Sequence, residues 1–235
     1  MNTERENIVF ICAHQDDITS AAGTLLKLKE RYNLHDFCLT LGQKGKRPES
    51  GRDTAEVRCE EEAAVCKLLD AELKFFDQVD GDLFAGREIC ERVAAELNKL
   101  KPAAVITLWP LEKPDHAAAA QIALKALNMA DLFFTTEIYF RISYEAICRM
   151  AYPELFVNIS DVFDEKMEIA RCYKSQWDER AFTRIEEFSR SLGSMAWCDY
   201  AEAYKTALPM IDERWNRPAE VGRILRDLGP GKKAP

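Results

Sequence analysis

Short apolar runs alternate with helix-like segments along the first 130 residues. Runs rich in β-branched and aromatic residues predict buried strands, at residues 7–13, 36–41, 73–76 and 103–108. Apolar positions at helical spacing lie between and after these runs and predict helices, at residues 21–32, 54–70, 87–101 and 116–129. This alternation predicts a parallel sheet with helices on both faces, because each crossover helix packs on the sheet.

The pattern becomes less regular in the second half of the chain. Two further runs, residues 136–143 and 154–160, predict strands, and residues 161–175 predict a fifth helix. From Gln176 to about Leu228 the sequence is helical and irregular in character. We therefore predict an α/β fold, a Rossmann-like and mostly parallel sheet with a C-terminal helical extension.

The domain organisation follows from what the chain lacks. No Pro/Gly/Ser-rich linker divides it, so a single domain is expected at residues 1–228. The tail at residues 229–235, Gly-Pro-Gly-Lys-Lys-Ala-Pro, is expected to be disordered.

Composition and charge narrow the function classes. The chain is 47% apolar, which is enough for a full core, and its net charge is −8. A nucleic-acid partner is not expected, because such binders carry a basic stripe. No apolar run approaches the ~18 residues of a membrane span, and the N-terminus lacks a signal-peptide pattern, so we expect a cytoplasmic protein. The eight cysteines include no Cys-x-x-Cys pair and are expected to be buried and reduced.

Two polar clusters follow predicted strands. His-Gln-Asp-Asp at residues 14–17 comes directly after the first strand, and Lys-Pro-Asp-His at residues 113–116 comes shortly after the fourth. Ligands of open parallel sheets bind outside the carboxyl ends of strands, where the strand order reverses. In a 3-2-1-4 order the first and fourth strands are neighbours at that reversal. We therefore expect the two clusters to meet.

Together the clusters offer the ligands of a catalytic metal. Two imidazoles, His14 and His116, and the carboxylate of Asp17 form a common zinc set with one open position. The same set suits non-haem iron(II). Asp16 is left beside the metal as a candidate proton acceptor. The alternative is that Asp17 and Thr19 only cap the next helix and that Asp115 caps the fourth.

The same residues carry a family resemblance. "AHQDDI" (13–18) resembles the Ala/Pro-His-Pro-Asp-Asp-Glu motif of the LmbE-like (PIG-L) zinc-dependent N-deacetylases, and "KPDH" (113–116) resembles their His-Pro-Asp-His motif. Four further segments are similar to family elements. "LTLGQKG" is similar to a glycine loop, and "VRCEEEAAVCKLL" to an Arg-x-x-Glu helix. "FVNISDVFDEKMEIARCYKSQ" is similar to a segment that ends in Ser-Gln, and "YAEAY" to a Glu-Ala-aromatic element. The resemblance spans about residues 7–205.

The resemblance implies a zinc-dependent hydrolase that removes an N-acetyl group, usually from a glucosamine unit. By position, His14, Asp17 and His116 would bind the metal and Asp16 would be the general base. Arg58 would lie on the substrate side, although a helix-surface salt bridge to a neighbouring glutamate, Glu61 or Glu62, is the alternative. The expected partner is a small N-acetylated amino sugar, and a homo-oligomer is compatible with the sequence.

Several positions depart from the family pattern. Gln15 replaces proline and Ile18 replaces glutamate in the first motif, and Gln43 replaces the glutamate of the glycine loop, where a contact to sugar hydroxyls is expected. Lys113 replaces the first histidine of His-Pro-Asp-His, which is thought to stabilise the oxyanion. Because Lys113 and Asp115 keep the family spacing, an ion pair between them could still direct a cation at the site.

Two other function classes stay open. One is a binding protein that keeps the metal and a sugar pocket but has lost turnover, which the replacement of histidine by Lys113 would suit. In that case Lys113 would be a solvent-facing lysine. The other is a nucleotide-binding Rossmann protein, which is disfavoured because no Gly-x-Gly-x-x-Gly follows any predicted strand.

Overall fold

A mixed, mostly parallel sheet forms the centre of the molecule. The computed structural model describes residues 5–148, 150–207 and 223–229. Its strands are β1 (Asn7–Cys12), β2 (Asn33–Thr40), β3 (Ala71–Gln78), β4 (Ala104–Thr107), β5 (Glu137–Arg141), β6 (Leu155–Asn158) and β7 (Ala201–Thr206). They form one seven-stranded sheet in the order β3-β2-β1-β4-β5-β7-β6.

Helices connect and cover the strands. Those in the described residues are α1 (Ala22–Leu28), α2 (Thr54–Leu69), α3 (Arg87–Leu100), α4 (Pro114–Met129), α5 (Tyr144–Cys148), α6 (Phe163–Ala170), α7 (Glu179–Ala196) and α8 (Arg223–Arg226). A 3₁₀ helix, Gln15–Ala21, separates β1 from α1, and another, Ser160–Val162, precedes α6. α3 packs against α4, whereas α1 packs against α2 and α6.

The parallel part of the sheet has the predicted strand order. β1 lies between β2 and β4 and pairs with both in parallel, and β3 and β5 extend the sheet on either side, again in parallel. Strand β1 is apolar along its length because both of its faces are covered, and Ile8 to Cys12 are all at most 1% exposed. The α/β fold and the reversal of strand order beside β1 are therefore confirmed.

The last strand lies in a stretch that the sequence pattern describes as helical and irregular. Helix α7 accounts for part of that stretch, but Ala201–Thr206 forms β7, which is inserted antiparallel between β5 and β6. Its sequence, Ala-Glu-Ala-Tyr-Lys-Thr, contains residues that favour helices. Partners on both sides and burial of its first four residues determine its conformation instead.

Three smaller expectations can be compared with the structure. Cysteines 12, 38, 66 and 90 are buried, but Cys148 is exposed. Of the tail predicted to be disordered, residues 230–235 lie outside the described residues. Within the described ranges, no helix is long and apolar enough to cross a membrane.

Candidate active site

The first polar cluster forms where β1 ends. The chain turns there into the 3₁₀ helix, and His14 is its N-cap residue. Asp17 Oδ2 accepts a hydrogen bond from the His14 backbone N–H at 2.8 Å. The capping role considered for Asp17 is thus real, but it occupies only one carboxylate oxygen. The other, Oδ1, faces His116.

The second cluster meets the first at the predicted place. Helix α4 begins at Pro114, so His116 lies in its first turn. His116 Nε2 is 2.9 Å from Asp17 Oδ1, and His14 Nδ1 is 3.6 Å from Asp17 Oδ2. One ligand atom from each of these three buried side chains lies within 4.8 Å of the others. The structure therefore brings together the three residues expected to bind a metal.

The outer nitrogen of each imidazole is engaged by carboxylates. His14 Nε2 lies 3.1 Å from Asp80 Oδ1 and 3.2 Å from Asp115 Oδ2. His116 Nδ1 lies 2.5 Å from Glu112 Oε2. Metal-binding histidines typically donate their second N–H to such a partner. The arrangement leaves His14 Nδ1 and His116 Nε2 facing the same carboxylate, Asp17.

One atom at this centre lacks a suitable partner. His116 Nε2 is buried and, despite its proximity to Asp17, makes no well-directed hydrogen bond. A buried nitrogen of this kind normally has a partner. Together with the two imidazoles and one carboxylate, it fits a divalent metal of the zinc type.

Electrostatics at the centre favour bound positive charge. Burial alone would lower the pKa of His14, but hydrogen bonds to Asp17 and Asp80 raise it to about 10. Burial opposes ionisation of Asp17 as well, yet His116 and His14 hold the pKa of this carboxyl well below its usual range. The carboxylates thus stabilise cationic imidazoles, and a divalent cation would replace their protons.

Asp16, the neighbour of Asp17 in the chain, is held by two donors from other elements. Arg58 Nη2 donates to Asp16 Oδ1 at 2.8 Å, and Trp177 Nε1 donates to Oδ2 at 3.0 Å. Arg58 is buried and pairs with Asp16, whereas Glu61 binds Ser175 and Glu62 binds Tyr173. The helix-surface salt bridge considered for Arg58 is therefore wrong, because the side chain turns inward to the base candidate.

Gln43, where a sugar contact is expected, links two loops near the site. Its side chain is exposed, and its Oε1 accepts the backbone N–H of Asp80 at 3.2 Å, which ties the glycine loop to the loop after β3. The adjacent Gly42 has a φ of +67°, and an added Cβ would lie 2.4 Å from Gln15 Oε1 and 2.7 Å from Arg58 Nη1. Glycine is needed here for both reasons.

The ion pair expected between Lys113 and Asp115 is not formed. Asp115 Oδ2 accepts the Gly81 N–H at 2.6 Å and also faces His14, so the carboxylate is already engaged. Lys113 is the N-cap residue of α4; its backbone N–H donates to Glu145, and its side chain is exposed. The spacing is the family's, but α4 begins here and each of the two residues binds other partners.

Four residues at the site were not identified from the sequence. Asp80 lies two residues past β3, a strand-end position of the kind that revealed the first cluster. Arg141 is the last residue of β5. Glu112 lies four residues before His116. Trp177 follows the Ser-Gln pair, and no local pattern marks it.

A cavity of about 910 Å³ opens at the site. Asp16, Asp17, His116 and Arg141 line it on the side of the parallel strands. α5, α7 and the segment before α7 supply much of the remaining lining, with polar side chains as well as the apolar ones of Tyr144, Trp177, Ala181, Ile185, Phe188 and Leu192. A small organic molecule would fit there, with one end at the histidines.

Comparison with known proteins agrees with this geometry. The chain is 25% identical over 243 residues to 4-oxalmesaconate hydratase of Pseudomonas putida, covering 91% of this chain and 93% of that protein. It is 27% identical over 220 residues to diacetylchitobiose deacetylase of Thermococcus kodakarensis, covering 85% and 82%. The crystal structure of the conserved protein TT1542 of Thermus thermophilus superposes with a TM-score of 0.77 at 25% identity, covering 91% of this chain and 100% of that one.

The family model described as PIG-L, GlcNAc-PI de-N-acetylase, matches residues 9–127. This match includes both polar clusters and extends from β1 into α4. The relatives show that the family supports both deacetylation and hydration. The chain belongs to the PIG-L (LmbE-like) family.

Proposed function

We propose that the protein is a metal-dependent amidohydrolase that removes the N-acetyl group from a small amino sugar of the N-acetylglucosamine type. The deacetylase relative and the family model support this reaction class. We propose zinc as the metal, and iron(II) would suit the same ligands.

One observation carries the proposal. His14 Nδ1, Asp17 and His116 Nε2 converge on one point, and Asp16 lines the same cavity as Asp17 and His116. A hydrolase needs an activated water and a proton acceptor within reach of one carbonyl. The arrangement offers a position for each of these and leaves room for a sugar.

In this proposal His14, Asp17 and His116 hold the metal. When bound, the cation polarises the acetyl carbonyl and lowers the pKa of the attacking water. Asp16 accepts the water proton and returns it to the departing amine nitrogen. Arg58 and Trp177 keep the Asp16 carboxylate fixed while the proton moves, since each holds one of its oxygens.

The test is release of acetate. Protein loaded with zinc is incubated with a panel of N-acetylglucosamine derivatives, and free acetate and free amine are measured in parallel. The proposal expects equal amounts of both products with at least one derivative, and none with Asp16→Asn. No acetate from any member of a broad panel would contradict the proposed reaction.

Hydration of a double bond is a second candidate. The hydratase relative covers 91% of this chain. In addition, Lys113 replaces the histidine thought to stabilise an oxyanion, and its side chain is exposed. The same preparation is therefore assayed with unsaturated dicarboxylic and tricarboxylic acids, following loss of ultraviolet absorption. Turnover there without acetate release would favour the hydratase. Metal binding without either turnover would favour the non-catalytic alternative.

A further inference from the structure

Glu112 occupies an unusual position behind the candidate metal centre. It lies in the loop between β4 and α4, and its side chain has no exposed surface. Its carboxylate receives four hydrogen bonds: Oε2 from His116 Nδ1 at 2.5 Å and from Arg141 Nη2 at 3.0 Å, and Oε1 from Arg141 Nη1 at 2.5 Å and from Ser143 Oγ at 2.7 Å. Both oxygens are therefore fully engaged.

We propose that Glu112 is a positioning residue that fixes His116 as a metal ligand through Nε2, and that Arg141 and Ser143 hold Glu112 in place. The inference rests on the proposed metal site but not on the reaction catalysed there. It also assigns Arg141 to the support of the centre.

The contact with Glu112 determines which nitrogen of the His116 ring carries the proton. A ring nitrogen that faces a carboxylate at 2.5 Å carries the proton, which leaves the other nitrogen with a lone pair when the ring is neutral. That other nitrogen is Nε2, which is buried beside Asp17 without a well-directed hydrogen bond. Glu112 thus selects the tautomer that a metal requires and prevents the ring from rotating.

Arg141 stabilises the buried carboxylate of Glu112. An unpaired buried carboxylate would be strongly destabilising. Arg141 offsets this cost with two hydrogen bonds, one to each carboxylate oxygen. The pairing is built into the sheet, because Thr107 of β4 lies opposite Phe140 of β5, which places Arg141 beside the loop of Glu112.

The two candidate histidine ligands differ in the number of carboxylates that contact their outer nitrogen. His14 Nε2 is shared by two carboxylates, Asp80 and Asp115, whereas His116 Nδ1 faces one carboxylate, that of Glu112. Loss of one carboxylate leaves His14 with another. His116 has no such reserve, so Glu112 is the position where a single substitution should affect ligand geometry most.

The test compares two buried glutamates. Glu112→Gln keeps the size of the side chain but presents an N–H donor either to His116 or to Arg141. Glu202→Gln is the matched control, because Glu202 is equally buried and also pairs with a cation, Lys166, but does not contact the histidines. Zinc affinity is measured for the full-length proteins by competition with a chelator, and stability is measured by urea unfolding of the metal-free forms.

We expect Glu112→Gln to weaken zinc binding about 10- to 100-fold and to change the visible spectrum of the cobalt(II)-substituted protein. Glu202→Gln should leave zinc affinity within about 2-fold, even where it lowers stability. Unchanged zinc affinity and an unchanged cobalt spectrum in Glu112→Gln would overturn the proposal, as would an equal loss in Glu202→Gln.

If Glu112→Gln does not fold, Glu112→Asp takes its place, because it keeps the charge beside Arg141 and withdraws it from Nδ1. The same outcomes then apply. The readout also separates this inference from the proposed function. A wild-type protein that binds zinc but releases no acetate would contradict the deacetylase and leave the role of Glu112 intact.

Discussion

Two regions of the molecule build the site in different ways. The parallel strands carry the candidate ligands and the charged side chains that support them at or near strand ends, through residues such as His14, Asp80 and Arg141. The antiparallel edge with α7 instead supplies cavity wall and one contact to Asp16, through Trp177. The candidate metal ligands therefore lie where the sheet fixes their geometry. The shape of the cavity depends instead on segments that are distant in the sequence.

The largest expected effect lies at the end of β1. Asp16→Asn should lower turnover at least about 100-fold, a typical general-base contribution, while keeping the metal, because the Asp16 carboxylate binds Arg58 and Trp177 and is not one of the three grouped ligands. Asp17→Asn should instead lose metal. Steady-state kinetics and elemental analysis of both variants check this. The reverse pattern would show that the two adjacent aspartates have exchanged roles.

The core beneath the parallel strands should show an unusual dependence of stability on pH. Asp36 and Glu62 are completely buried; Asp36 contacts the thiols of Cys12 and Cys66, and Glu62 accepts a hydrogen bond from Tyr173. Burial raises the pKa of Asp36 to about 6 and that of Glu62 well above its usual value. The folded protein thus holds protons that the unfolded chain releases above about pH 4. Stability from this pair is complete below that pH and is lost as the pH rises through 6 and beyond.

Glu62→Gln should remove part of the stability loss that accompanies rising pH. Relative to wild type, its free energy of unfolding should rise between pH 5 and pH 8 by on the order of 1–3 kcal/mol. Urea unfolding at the two pH values measures the change. Glu60→Gln, an exposed position on the same helix, is the control and should show no such trend. A parallel shift of Glu62→Gln at both pH values would contradict the prediction.

The antiparallel edge with α7 and Trp177 should contribute less to turnover than the end of β1. Trp177→Phe keeps a ring against Tyr173 but removes the hydrogen bond to Asp16 Oδ2. Loss of one hydrogen bond to a charged group predicts a fall of about 10-fold in turnover with metal content unchanged. Trp197→Phe is the control, since Trp197 is 95% exposed. Equal rates for Trp177→Phe and wild type would show that the antiparallel edge contributes shape alone.

The smallest effect is expected at Lys113. Its side chain is exposed, and Asp115 is occupied by Gly81 and His14. Lys113→Met should therefore keep turnover within about 2-fold under the conditions used for wild type. A loss of about 100-fold, as for one removed oxyanion donor, would restore the catalytic role that the motif spacing suggests for this lysine.

The parallel strands and the antiparallel edge also differ in how far the sequence alone predicts them. His14, Asp17 and His116 could be located because an apolar strand followed by polar residues is a local signal, and the 3-2-1-4 order brings two such signals together. Asp80 carries the same signal after β3 and could have been found. Glu112 and Arg141 could not, because their meaning depends on a pairing between neighbouring strands. β7 was missed because its alanines and glutamate favour a helix until two strands enclose it.

The central claim is that strand ends of the parallel region form a metal centre with His14, Asp17 and His116. The most direct measurement is the zinc content of the purified wild-type protein and of His116→Ala after equilibration with zinc and removal of excess metal. The account predicts close to one zinc per wild-type chain and loss of most of it in His116→Ala, because two remaining ligands hold a catalytic zinc poorly. A wild-type protein without stoichiometric metal, or full retention in His116→Ala, would contradict it.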